Sequence, residues 1–151
     1  MKIIIIGGTG TIGKKVAERL SEKHETTIVG RKSGNFQADI ANSNSLKELF
    51  EKVGKVDAIV CIAGEAKWAY FKDLSEDDFY IGLKSKLMGQ INVVRLGMYY
   101  LNPGGSFTLS TGILADDPVP MTTSAAMVNG GIHSFVKAMA LETENGIRIN
   151  V

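Results

Sequence analysis

Gly7, Gly10 and Gly13 stand at G-x-x-G-x-x-G spacing, directly after an apolar run at 3–6 and directly before a stretch of helical periodicity. A backbone without Cβ atoms turns sharply and lets a ligand come close. A helix opening at that turn presents free N–H groups and a partial positive charge, which together suit a pyrophosphate. Strand, glycine turn and helix in succession make this spacing a predicted dinucleotide site, against the alternative of a plain glycine-rich turn. A basic turn, Arg31-Lys32-Ser33, follows the next apolar run at 26–30. No carboxylate is placed there to hold a ribose 2′-hydroxyl, whereas arginine pairs bidentately with a 2′-phosphate, aided by Lys32 or the Ser33 hydroxyl. This predicts NADP(H) in preference to NAD(H), the alternative being a solvated basic turn. Ser110 and Thr111 close a later apolar run and carry hydroxyls of the kind that hydrogen-bond a carbonyl oxygen. The competing role for such a pair is turn chemistry.

These residues need elements to hold them. Four isoleucines at 3–6, without polar alternation, predict a strand buried on both faces, as in a parallel sheet. Ile12, Val16, Ala17 and Leu20 then recur at helical spacing, with Lys14, Lys15, Glu18 and Arg19 on the other side. Strands are predicted at 26–30 and 36–40. A capping box at Ser45-Leu-Lys-Glu48 opens a helix whose inner face is Leu46, Leu49, Phe50 and Val53. The apolar run 56–63 predicts a strand ending at Gly64. Ser75-Glu-Asp-Asp78 starts a long helix over 76–100, in which Gly82, Gly89 and Gly97 predict a bend. Asn102-Pro-Gly-Gly105 ends it, a strand follows at 107–111, a helix at 124–143 and a last strand from 146 onward.

That order predicts a Rossmann-like, doubly wound α/β fold of three layers, with parallel strand order 3-2-1-4-5-6. Ligands bind such sheets at the carboxyl ends of the strands. Ile4, Ile6, Val60 and Ile62 are the expected fully buried strand residues.

A chain of 151 residues is expected to form one domain with a real core. Its net charge of +1 gives no general electrostatic attraction to nucleic acid or an anionic membrane. No apolar stretch approaches the ~20 residues of a membrane span. The lone Cys61 makes no internal disulfide and reads as a core residue, and the cytoplasm is the expected compartment. His24 and His133 are isolated from other ligand-type residues, so no metal site is expected and both read as structural. The final strand has nothing after it, which reads as a fragment of a longer protein.

Gly7-Gly-Thr-Gly-Thr-Ile-Gly13, Gly30-Arg31, Ala38-Asp39-Ile40, Cys61-Ile-Ala-Gly64 and Gly146-Ile-Arg-Ile-Asn150, in that order, resemble the short-chain dehydrogenase/reductase family. The likeness runs over the whole chain, and the glycine spacing is that of the extended and atypical branches. The resemblance implies a single NAD(P)-binding domain over 1–151, without the family's C-terminal substrate-covering segment. It implies that Gly7, Gly10 and Gly13 cradle the pyrophosphate with backbone groups of Thr9, Thr11 and Ile12. Asp39 and Ile40 match the Asp-aliphatic pair beside the adenine. Ala63 and Gly64 match the end of the Asn-Asn-Ala-Gly motif, whose first two positions are Cys61 and Ile62 here.

The catalytic half departs from the family pattern. The Tyr-x-x-x-Lys pair falls on Ala125 and Asn129, the serine on Gly112 and the helix asparagine on Lys86. The substitutes at hand are Ser110 and Thr111 for the carbonyl oxygen and Lys86 as an ammonium near the nicotinamide ribose. The resemblance implies an NADP-dependent oxidoreductase acting on a carbonyl or alcohol. The alternatives are a catalytically silent dinucleotide-binding protein, as a sensor or inactive partner subunit, or a cofactor domain whose chemistry needs residues beyond Val151. Relatives of this fold pair through their long helices. Ala125, Ala126, Met127, Met139 and Ala140 suit such a homo-oligomer.

Overall fold

A computed structural model describes all residues, Met1–Val151. Its strands are β1 (Lys2–Ile6), β2 (Glu25–Gly30), β3 (Phe36–Gln37), β4 (Val56–Cys61), β5 (Leu101–Leu109) and β6 (Arg148–Asn150). Its helices are α1 (Thr11–Ser21), α2 (Ser43–Val53), α3 (Glu76–Gly82), α4 (Gly89–Gly97) and α5 (Thr123–Met139). The strands form one parallel sheet in the order β3-β2-β1-β4-β5-β6. This is the Rossmann-like order expected from the alternation of elements. No helix is long and apolar enough to cross a membrane.

The isoleucines of β1 explain why that strand is central. Ile5 pairs with Ile28 of β2 and with Val60 of β4, and side chains leave the strand alternately to the two faces. Ile4 and Ile6 enter the larger core with Phe50, Val93, Phe107 and Ile132. Ile3 and Ile5 meet Ala17 of α1 on the other face. Val60 and Ile62, expected to be fully buried, are half-buried instead. They lie on the α1 side, where they wall an open cleft beside Ile12 and Val16.

Several element boundaries differ from expectation, three of them for a clear local reason. α2 starts at Ser43, because Asn42 caps it by accepting from the N–H groups of Asn44 and Ser45. Ser45, freed from capping, accepts from the Asp39 N–H at 3.1 Å. β3 stops at Gln37, and Asp39 then turns the chain by accepting from the Ala41 N–H at 2.9 Å. Asn102-Pro-Gly-Gly105 sits inside β5 as a bulge, where pairing with β4 jumps from Val56↔Leu101 to Ala58↔Ser106. Asp57 pins that bulge by accepting from Asn102 Nδ2 and the Lys2 N–H, each at 2.7 Å. α5 ends at Met139, short of the expected 143.

The long helix is segmented. The capping box at Ser75 and Asp78 is formed as expected, but regular α-helix stops at Gly82. Leu83–Met88 winds as π-type turns before α4 resumes the α-helix, and Met98–Tyr100 tightens to a 3-10 turn. π-type turns inside helices recur at functional sites, and here they carry Lys86.

Candidate active site

The first part of the site is an anion cradle at the carboxyl end of β1. Gly7 has φ +86 and donates to Val29 O at 2.8 Å, while the Gly10 N–H donates back to Gly7 O at 3.0 Å. A Cβ on Gly13 would lie 2.0 Å from Gly7 O, so α1 reaches this turn only because residue 13 has none. Gly10 caps α1 with no side-chain bond, and the N–H groups of Thr11, Ile12 and Gly13 have no acceptor in the protein. Three free donors at a helix N-terminus, in a turn that a side chain would fill, fit a pyrophosphate.

The end expected to take the adenosine lies between β2 and β4. Gly30, Arg31, Asp39, Ile40, Ala63 and Gly64 line a small pocket next to Gly7. Arg31 Nη2 donates to Glu65 Oε1 at 3.0 Å, and its Nε lies 4.0 Å from Asp39 Oδ2. Hydrogen bonding and charge from Glu65, then the charge of Asp39, hold the guanidinium pKa above its ordinary value. Lys32 and Ser33 occupy the exposed turn alongside and do not line the pocket. Glu65 was invisible to spacing arguments, since it follows a glycine in a loop.

The polar end lies where β4 and β5 stop. Gly64 has φ +123, and a Cβ there would stand 2.7 Å from Lys86 Cα, so the chain leaving β4 presses directly on the π-type turns. Gln90 of α4 is fully buried and ties the two strand ends together. Its Nε2 donates to Ala63 O at 3.0 Å and Ser110 O at 2.9 Å, and its Oε1 accepts from the Ser110 N–H at 3.2 Å. Thr111 Oγ1 and His133 Nε2 lie 2.7 Å apart in a hydrogen bond. His133, read from sequence as isolated, is therefore a partner of a predicted site residue. Lys86 is half-buried with no carboxylate in salt-bridge range, and burial pulls its pKa below the usual lysine value.

Ala125 and Asn129, at the positions expected for the tyrosine and lysine, are both buried. Asn129 Oδ1 has no hydrogen-bond partner. A cleft of about 470 Å³ runs from Ile12 and Val16 of α1 past Ala63 and Gly64, which it shares with the small pocket, to Lys86, Ser110 and Thr111. No group of acidic, histidine or cysteine side chains is arranged to hold a metal ion.

Comparison with known proteins agrees with this architecture. The family model described as enoyl-(acyl carrier protein) reductase matches residues 4–151. Elsinochrome reductase 1 of Elsinoe fawcettii is 25% identical over 166 residues, which cover 93% of this chain and 62% of that protein. Oxidoreductase UcpA of Escherichia coli K12 is 27% identical over 152 residues, covering 98% of this chain and 57% of that protein. The chain thus spans less than two thirds of the length of these curated relatives. The crystal structure of lin1944 from Listeria innocua superposes with a TM-score of 0.97 at 47% identity, covering 100% of this chain and 78% of that one. A small-chain dehydrogenase crystallised in complex with NADPH has a TM-score of 0.87 at 29% identity, over 94% of this chain and 64% of that one. With the glycine cradle, the strand order and the family match in agreement, the chain belongs to the short-chain dehydrogenase/reductase family.

Proposed function

We propose that this chain is a single dinucleotide-binding domain of an NADP(H)-dependent oxidoreductase that interconverts a carbonyl compound and its alcohol. The observation that carries the reading is the cleft that leads from Ile12, in the first turn of the helix opening at the anion cradle, to a hydroxyl backed by an imidazole. Gly7, Gly10 and Gly13 with the backbone of Thr9, Thr11 and Ile12 hold the pyrophosphate. Asp39 and Ile40 face the adenine, and Ala63 and Gly64 its ribose. Arg31, aided by Lys32 or the Ser33 hydroxyl from the exposed turn alongside, takes the 2′-phosphate, a choice also supported by NADPH in the 29%-identical structure.

When bound, the reduced cofactor supplies a hydride to the carbonyl carbon. The chain's own residues handle the oxygen. With His133 Nε2 protonated, the imidazole donates to Thr111 Oγ1 and leaves the hydroxyl proton free to point into the cleft. Thr111 donates that proton to the oxygen as hydride arrives at carbon, and His133 replaces it. Ser110 offers a second hydroxyl at the oxygen, and the Lys86 ammonium stabilises the developing negative charge. A threonine hydroxyl is far less acidic than a tyrosine phenol, so turnover is slow. Two copies pair through α4 and α5, whose outer groove of Ile91, Val94, Phe135 and Met139 is apolar.

Fluorescence titration with NADPH and NADH, followed by NADPH oxidation over a panel of aldehydes and ketones, tests the proposal. NADPH is expected to bind more tightly, and Thr111→Val to slow oxidation about 10²-fold with cofactor affinity unchanged. Tighter NADH binding would reject the cofactor assignment. Tight NADPH binding with no oxidation of any carbonyl would replace the enzyme with a silent binder.

A further inference from the structure

Lys86 and Thr111 also border a second cavity of about 400 Å³, next to the cofactor cleft, whose other walls include Trp68, Leu114, Ala125 and Asn129. Two features of this cavity have no use within the protein. The Lys86 ammonium, half-buried, faces it without a counter-ion: Glu65 lines the same cavity, but its carboxylate is engaged by Arg31 at 3.0 Å. Asn129 is 4% exposed, and its Oδ1 has no hydrogen-bond partner. Its Nδ2 side faces Gly112, where an added Cβ would stand only 3.5 Å away. A buried carboxamide and a partly desolvated ammonium each cost stability until something pairs with them. The remaining walls, Trp68, Leu114 and Ala125, are apolar.

We infer that this cavity binds a small 2-oxo or 2-hydroxy acid, its carboxylate and the adjacent 2-oxygen both facing the Lys86 ammonium, and that oxygen shared by Thr111 and Asn129. The inference rests on the carbonyl–alcohol reading above and narrows it to acids. A carboxamide suits both redox forms of such a compound. Its Nδ2–H, on the Gly112 side, donates to the ketone oxygen, and the group turned over about its last bond presents Oδ1 to the hydroxyl of the alcohol. The apolar walls take the aliphatic remainder of the acid. The volume lies within the range of small-molecule sites.

Trp68 is the sole tryptophan of the chain and lines the cavity, so its emission reports occupancy without any need for turnover. The probes are 4-methyl-2-oxopentanoate and its uncharged methyl ester, titrated into the intact chain with and without saturating NADP+. The acid is expected to quench Trp68 saturably and to bind about tenfold or more tightly than the ester, as a charge-assisted contact implies. Lys86→Met should abolish that preference, Lys86→Arg should retain it, and Asn129→Ala should weaken the acid severalfold. NADPH affinity, read from NADPH's own fluorescence, should move less than threefold in Lys86→Met. Equal binding of acid and ester, an undiminished preference in Lys86→Met, or no acid binding where NADPH binds well would each overturn the inference. A matching loss of NADPH affinity in Lys86→Met would overturn it too, by assigning the ammonium to the cofactor. Failure of NADPH to bind at all removes the cofactor proposal instead, while the acid titration still reads the cavity directly.

Discussion

Arg31 and Glu65 join the end of β2 to the loop after β4 through a 3.0 Å hydrogen bond, across the mouth of the small pocket beside Gly7. The pair occupies the guanidinium that the 2′-phosphate would use. Both side chains are more than half exposed, so the pair itself contributes little. A 2′-phosphate, with more charge and three acceptor oxygens, is expected to displace the carboxylate.

Removing each partner should therefore have opposite effects on the cofactor. Arg31→Ala is expected to weaken NADPH about 10- to 100-fold and NADH hardly at all. Glu65→Gln is expected to tighten NADPH by up to about fivefold, since it frees the guanidinium from a weak exposed pair. Titration of both cofactors against both variants checks this. Equal loss of NADPH and NADH in Arg31→Ala would remove Arg31 from cofactor selection.

His133 is expected to matter for rate and not for binding. His133→Phe should lower carbonyl reduction about 10²-fold, with NADPH affinity within twofold of the parent. His133→Gln keeps a hydrogen bond to Thr111 but carries no titratable proton, so it should stay slow while preserving the fold. Full activity in His133→Gln would show that the imidazole only orients the hydroxyl.

Gln90 should prove a structural residue whose loss loosens the site. Gln90→Leu strands the N–H and C=O of Ser110 and the C=O of Ala63. Leaving these groups unpaired is expected to cost about 2–4 kcal/mol in all. For a chain of this size that corresponds to a fall in Tm of roughly 4–16 °C. A thermal melt by circular dichroism measures it, and an unchanged Tm would mean that water reaches the strand ends.

Cys61 provides a pH test of the core. Burial raises its thiol from 9.0 to about 11. The native state thus keeps a proton that the unfolded chain loses above 9.0, so stability is full below that pH and declines as pH rises toward 11. The decline from this group amounts to about 3 kcal/mol at its limit. Urea unfolding at pH 8 and pH 10.5 should show the native chain less stable at the higher value by one to two kcal/mol more than a Cys61→Ala variant, roughly. At pH 8 the native thiol should resist iodoacetamide and react on unfolding. Rapid native alkylation would contradict the burial of β4.

What could be read without coordinates was local in origin. An unbroken β-branched run must be buried on both faces, and glycines at fixed spacing before a helix leave its N–H groups free. Those two facts already implied a central parallel strand and an anion cradle, because each depends on neighbours within a dozen residues. The basic turn at Arg31 was legible for the same reason. The boundaries of α2, β3 and β5 were not, since Asn42, Asp39 and Asn102 offered side-chain bonds that compete with the expected caps and stops.

The polar half of the site depended on which residues distant in sequence were brought together. Thr111 and His133 are 22 residues apart, and Arg31 and Glu65 are 34 apart. Gln90 reaches Ala63 and Ser110 only because α4 packs under the ends of both β4 and β5. No periodicity encodes such contacts, because a side-chain hydrogen bond across elements requires a helix crossing and a strand end to agree within a few tenths of an ångström. The amino-acid sequence thus determined the sheet, its order and the glycine turn with its free N–H groups through short-range patterning. Only the tertiary packing of α4 and α5 against the sheet decided that His133 backs Thr111, that Lys86 lacks a counter-ion and that Asn129 is buried unpaired.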